Sequence, residues 1–310
     1  MRLELHSPIR KIVFAVACSA SSAVFLGLSL REYLATRIAA VPNVPHLEKA
    51  IRLEPSDAEY RELLGRNLAL SGVSLDAAIS TYRIATRLNP YDARGWLDLA
   101  GAYQVAGRVR EQEESVERAV KADPSTPHVA WEAANLFLVQ GEREKALHYL
   151  RIVLANDPQS VDPALQMCWR VTGDAEQIVG MLPQRSDLYF SFINLLISRQ
   201  EVAATETVWN RLIALRQIFP INLSFPYFRF LLAKQEVAVA NTSWQQLADL
   251  NPSLRAYLPS SENLIVNGGF EENILNGGFD WWYQPNPHTT LTIDTNEFRS
   301  GTRSLSITFD

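Results

Sequence analysis

The sequence predicts a mainly α-helical chain: one apolar transmembrane helix, then an α-solenoid of repeated helical hairpins, then a short, incomplete all-β segment. Three observations carry that expectation. Residues 12–30 contain no charged side chain. A helix-ending proline recurs at Pro55, Pro90, Pro124 and Pro158, at intervals of 35, 34 and 34 residues. Past Pro259 the helical spacing gives way to Asn/Gly turns and alternating β-prone residues.

Composition narrows the classes. With 47% hydrophobic residues among 310, the chain is too apolar to be disordered. Cys18 and Cys168 are too few for a disulfide framework or a zinc site. A net charge of −5 without a clustered basic face argues against a nucleic-acid partner. The charge is uneven: residues 260–310 hold seven acids against Arg299 and Arg303, leaving the rest balanced at 27 against 27. That shift places a boundary near Pro259–Ser261. The expected domains are an anchor (1–40), clear repeats (44–158), degenerate helical repeats (159–258) and a truncated β module (261–310).

The nineteen residues Ile12–Leu30 lie between Arg10-Lys11 and Arg31-Glu32. About 20 residues cross a bilayer core, so the run just suffices, and Tyr33, Leu34 and Ala35 extend it. Three readings compete: an uncleaved anchor, a cleaved signal and a buried helix. A signal peptide has a shorter apolar core with a small-residue cleavage site behind it, whereas Ala15-Val16-Ala17 falls inside this run. Ala15–Cys18 loosely resembles a lipoprotein box, but lacks its leucine. An uncleaved single-pass anchor is therefore expected. Arg2, Arg10 and Lys11 precede the run, against Arg31 and Arg37 after it, which favours a cytoplasmic N-terminus and an extracytoplasmic bulk. The location expected is the bacterial inner membrane.

The repeat follows next. After Pro90 come Trp96, Leu99, Ala100, Tyr103 and Gly107, then Val116, Ala119 and Pro124. After Pro55 come Leu64, Gly65, Leu68 and Gly72, then Ala78, Tyr82, Ala85 and Pro90. After Pro124 come Ala133, Ala134, Phe137 and Gly141, then Ala146, Leu150, Val153 and Pro158. Each unit thus carries two amphipathic stripes, with small residues where the helices cross. Gly72, Gly107 and Gly141 fall where the first helix should end. The pattern resembles the tetratricopeptide repeat, whose period is about 34 residues. Leu47, Ala50 and Pro55 read as the second half of a preceding unit. Helical spacing continues through 160–171, 175–182, 188–199, 202–217, 226–234 and 243–250, as degenerate repeats or a separate bundle.

The resemblance implies a partner-binding groove lined by first helices, with Glu59, Glu62, Arg66, Arg94, Gln104, Trp131 and Asn135 facing it. Trp131 is alternatively a packing residue replacing Ala130. His46, His128 and His148 stand alone, without a nucleophile or paired carboxylates, so no enzyme is expected.

The C-terminal residues resemble the opening of the jelly-roll carbohydrate-binding modules of families four, nine and twenty-two. The matching elements are Asn263-Leu264, Asn267–Glu271, Gly278–Trp282 and Ser300–Leu305, with strands at Leu264–Val266, Thr289–Asp294 and Ser304–Asp310. They cover about a third of such a module, so the chain reads as part of a longer protein, or takes its missing strands from elsewhere. The resemblance implies sugar stacking by Trp281, Trp282 or Tyr283, with a core tryptophan as the alternative. It also implies that Glu271 helps hold a structural calcium, the one cofactor considered; otherwise Glu271 simply faces solvent. His288 reads as a loop residue. The function expected is a membrane-anchored, extracytoplasmic protein-interaction scaffold of the cell envelope, engaged in polysaccharide assembly or export. The alternatives are a non-catalytic part of a secreted glycan-processing enzyme and a cytoplasm-facing tether.

Overall fold

The computed structural model describes residues 8–72, 74–260, 264–284 and 286–309. Arg2, Ser261, Asn263 and Asp310, all used above, lie outside the described residues. The chain forms two compact units, Met1–Tyr149 and Leu150–Asp310.

The first unit is built from helical hairpins: α1 (Pro8–Ala39) with α2 (Val44–Leu53), α3 (Glu59–Ser71) with α4 (Leu75–Leu88), and α5 (Ala93–Val105) with α6 (Val109–Ala122). Helices α7 (Pro127–Gln140) and α8 (Arg143–Asn156) follow, the latter running past the boundary. Gly72, Gly107 and Gly141 take positive φ of 65°, 69° and 80° at the hairpin turns, where a side chain would strain the backbone. Second helices stop for a different reason. Glu54, Asn89 and Asp123 each precede a proline, which pushes them out of the helical region, to φ of −122°, −127° and −143°.

The apolar α1 does not end at Leu30. Its last two turns are part of the repeat core: Ala35 and Ala39 are buried against Leu47, Ala50, Tyr60 and Leu64. Thus α1 supplies the first helix of the partial unit whose second helix is α2. Towards its N-terminus, apolar side chains such as Ile12, Phe14, Phe25 and Leu26 are exposed. The stretch Lys11–Ala39 is long and apolar enough to cross a membrane.

The second unit continues with α9 (Val161–Thr172), α10 (Ala175–Met181), α11 (Ser186–Arg199), α12 (Val202–Ala214), α13 (Phe225–Ala233) and α14 (Val237–Leu250). Helix α14 starts six residues before the expected Ser243, and α12 stops short of Gln217. Its core is aromatic. The Phe228 ring stands edge-on to both Trp209 and Trp244, at 5.3 and 4.9 Å, and Trp209 stacks on Tyr227 at 4.8 Å. Such contacts add about 0.5–1.5 kcal/mol each beyond burial.

One correction concerns the C-terminal residues. Leu264–Val266 is not a strand; it leads into a turn. The described residues form one two-stranded antiparallel sheet, β1 (Thr289–Asp294) with β2 (Ser304–Phe309), in which Leu291 faces Ile307 and Ile293 faces Leu305. Among the described residues these two strands do not make a jelly roll, which needs two such sheets packed face to face. Instead, the segment before β1 lies on the helices. A Cβ at Gly277 would stand 2.3 Å from the Phe225 ring, and one at Gly278 2.2 Å from Trp244. The Tyr257 hydroxyl donates to the Asn273 carbonyl at 2.7 Å.

Candidate functional site

The first helices of the hairpins face two adjoining clefts in the first unit. One, of about 540 Å³, is lined by Asp57, Glu59, Glu62, Arg66, Asp92 and Arg94. The other, of about 530 Å³, is lined by Arg94, Asp98, Gln104, His128, Glu132 and Leu136 among others. Arg94 belongs to both, so the two are parts of one groove.

The floor is polar and tightly bonded. Asp92 caps α5, its carboxylate accepting from the Arg94 amide at 2.9 Å. Arg66 donates from Nε to the Asp98 carboxylate at 2.8 Å. Glu62 is only 5% exposed. Burial, then a hydrogen bond to Asp92 and the negative charges of Asp92 and Asp98, raise the Glu62 carboxyl from its ordinary 4.5 to about 8, with Arg66 opposing. At neutral pH it is mostly a neutral acid. Asp98 is also raised, because burial outweighs the pull of Arg66. A polar, preorganised surface of this kind can hold a peptide's amides and charged side chains.

Glu59, Glu62, Arg66 and Arg94 therefore come together, and Gln104 joins them in the second cleft. Glu62 sits beneath the surface rather than on it. Trp131 and Asn135 are half-buried and do not line either cleft; His128, Glu132 and Leu136, spaced four residues apart on the same helix, do. Ala130 and Ala133 are in the core, which fixes the rotation of α7. Asp92, Asp98 and Glu132 are groove residues that sequence reasoning missed, and the i, i+4 pair His128/Glu132 was the available signal.

The remaining candidates are placed as follows. His46 Nδ1 meets Asn43 Oδ1 at 2.6 Å beside the α2 N-terminus. His148 packs edge-on to Tyr149. The His288 amide is held by Asn286 in a loop. Trp281, Trp282 and Tyr283 are 42, 38 and 40% exposed. Trp281 donates to the Asn267 carbonyl, and the Arg229 guanidinium covers the Trp282 ring at 4.6 Å. Glu271 accepts from the Thr302 amide at 3.0 Å and from its hydroxyl at 2.6 Å, which holds its carboxyl below the usual range. Calcium takes six to eight oxygens, carbonyls among them, of which Glu271 would supply its carboxylate. Among the described residues, no group of three His, Cys, Asp or Glu side chains is placed to hold a metal ion.

Residues 68–127 match the family model of the tetratricopeptide repeat. The matched stretch runs from the end of α3 to the start of α7, and so carries much of the groove. No curated protein matches the chain. Among solved structures the chain is similar to PilF of Pseudomonas aeruginosa, at 15% identity and a TM-score of 0.34, covering 63% of this chain and 92% of that one. It is similar to MamA at 20% identity and a TM-score of 0.37, covering 52% and 98%. It is also similar to YrrB, described as a tetratricopeptide-repeat protein with an unusual peptide-binding site, at 14% identity and a TM-score of 0.32, covering 66% and 92%. At these scores the likenesses carry no functional argument. The tetratricopeptide match itself rests on the sequence of the repeats.

Proposed function

We propose that the chain is a membrane-anchored scaffold whose tetratricopeptide hairpins hold a segment of a partner protein in the α3–α5–α7 groove. The groove floor carries this reading: Arg66 is bonded to Asp98 and Glu62 is buried beside Asp92, while Arg94 and Gln104 stay accessible above them. A match to interaction repeats over residues 68–127 supports a protein partner. The apolar α1 supports anchorage, and Arg10 and Lys11 ahead of its uncharged run support a cytoplasmic N-terminus with the hairpins outside. Work in the bacterial envelope, on polysaccharide assembly or export, is the finer part of the proposal. Its support is the order of the C-terminal motifs and the partial exposure of Trp281 and Tyr283.

Photo-crosslinking in cells tests the groove. A photoreactive residue at Gln104 should give an adduct with a discrete protein, whereas one at Glu117, on an exposed face of α6, should not. Equal adducts from both positions, or none from Gln104, would overturn the groove reading.

A further inference from the structure

Helix α5 has a second working face. Leu97, Asp98 and Gly101 look into the groove, but Trp96, Leu99 and Tyr103 floor a separate cleft of about 460 Å³ between α4 and α6. The rim of that cleft is rich in arginine: Arg83 and Arg87 from α4, Arg108 just before α6 and Arg118 within it. Arg108 is paired with Asp76 at 3.0 Å. Arg83, Arg87 and Arg118 make no ion pair among the described residues.

Two of these side chains are held in place. The Trp96 indole is fixed by its Nε1 donating to the Pro90 carbonyl at 2.9 Å, and Arg118 lies over the ring at 5.1 Å. A guanidinium stacked on an indole loses access to one face but keeps its in-plane N–H donors for a carboxylate. Arg87 is steadied by its Nε donating to the Arg83 carbonyl at 3.1 Å.

We propose that this cleft binds an acidic peptide segment, its carboxylates held by Arg83, Arg87 and Arg118 and an apolar side chain lying against Trp96. The charge pattern selects a peptide over a uniform polyanion. Glu111 and Glu114 share the rim, and Glu114 is paired with Arg110. The Glu111 carboxylate would repel a continuous anionic polymer, yet would accept a hydrogen bond from a peptide amide. The site is distinct from the groove, so the two readings fail separately.

The test uses the full chain in detergent and a fluorescently labelled peptide of alternating Glu and Leu, followed by anisotropy. Binding should weaken as salt rises. Arg87→Ala and Arg118→Ala should each raise Kd about tenfold, a loss of about 1.4 kcal/mol. Arg118→Lys should also weaken binding, because the ammonium keeps the charge but loses the fork. Lys49→Ala, exposed on α2 and outside both clefts, should change nothing, Arg94→Ala reports whether the peptide enters the groove instead, and circular dichroism would verify that each variant is folded. Three results would overturn the proposal: no binding of the acidic peptide, loss on Arg94→Ala but not on the cleft variants, or equal binding of a Gln/Leu peptide. Full competition by inorganic phosphate at the peptide's own concentration would reduce the cleft to a non-selective anion patch, and would also overturn it.

Discussion

The Glu62 carboxyl occupies the space that a side chain at Gly95 would fill: a Cβ there would stand 2.9 Å from Glu62 Oε1. Helix α5 thus passes over α3 closely enough to seal an acid from water, and that seal raises its pKa. An acid whose folded pKa lies above its unfolded value binds its proton more tightly when folded. Its contribution to stability is complete below about 4.5 and is lost as pH rises to about 8. The melting temperature of the native chain should therefore fall across that window. Glu62→Gln, which does not titrate, should flatten the fall, and the gap between the two proteins should change in the variant's favour as pH rises. Parallel curves from pH 5 to 9 would refute the burial argument.

The crossings of paired helices make a second case. Gly65 meets Tyr82, whose ring carbon would lie 2.6 Å from an added Cβ. Tyr82 is buried, so the ring cannot swing into solvent. Gly65→Ala should destabilise by about 1–3 kcal/mol, although the same exchange in an open helix stabilises by about 1 kcal/mol.

Ala100 is fully buried among Val116, Ala133, Phe137 and Ala146, whereas Gln104, one turn on, faces the groove. Ala100→Leu should therefore lower the melting temperature well beyond Gln104→Leu. Equal shifts would mean that the register of α5 is misjudged.

Arg31 and Glu54 tie α1 to the end of α2 through a two-pronged pair at 2.8 and 3.1 Å. A soluble form that starts at Arg31 keeps this pair and the burial of Ala35 and Ala39. One that starts at Val44 loses both and uncovers Leu47, Ala50 and Tyr60. The shorter form should melt lower and bind more hydrophobic dye.

Gly278 stands at φ 64° against Trp244, which is fully buried with its Nε1 donating to the Tyr257 carbonyl at 2.9 Å. Gly278→Ala should release the segment before β1 from α13 and α14, seen as faster protease cleavage between 264 and 284. Gly269→Ala, whose Cβ would meet only ordinary contact at 3.7 Å from Glu271, is the control and should cleave like the native chain.

By itself, the sequence determined what is encoded within a turn or two of helix. The hairpin period, the helix-ending prolines, the left-handed glycines at 72, 107 and 141, and the small buried residues Ala100 and Ala134 were all legible, because each is a local constraint on backbone or packing. The equivalent turns at Gln200 and Gln235 were not, since φ of 63° and 64° there is imposed on ordinary residues by the helices on either side. Tertiary structure alone decided which face of α7 lines the groove, displacing Trp131 and Asn135 in favour of His128 and Glu132. It alone brought Arg66 to Asp98, 32 residues away, and Arg31 to Glu54, 23 away. It also turned the expected strand at Leu264–Val266 into a turn. A strand exists only where another strand satisfies its backbone, and here the residues that follow pack against helices α13 and α14 instead, Gly277 on Phe225 and Gly278 on Trp244.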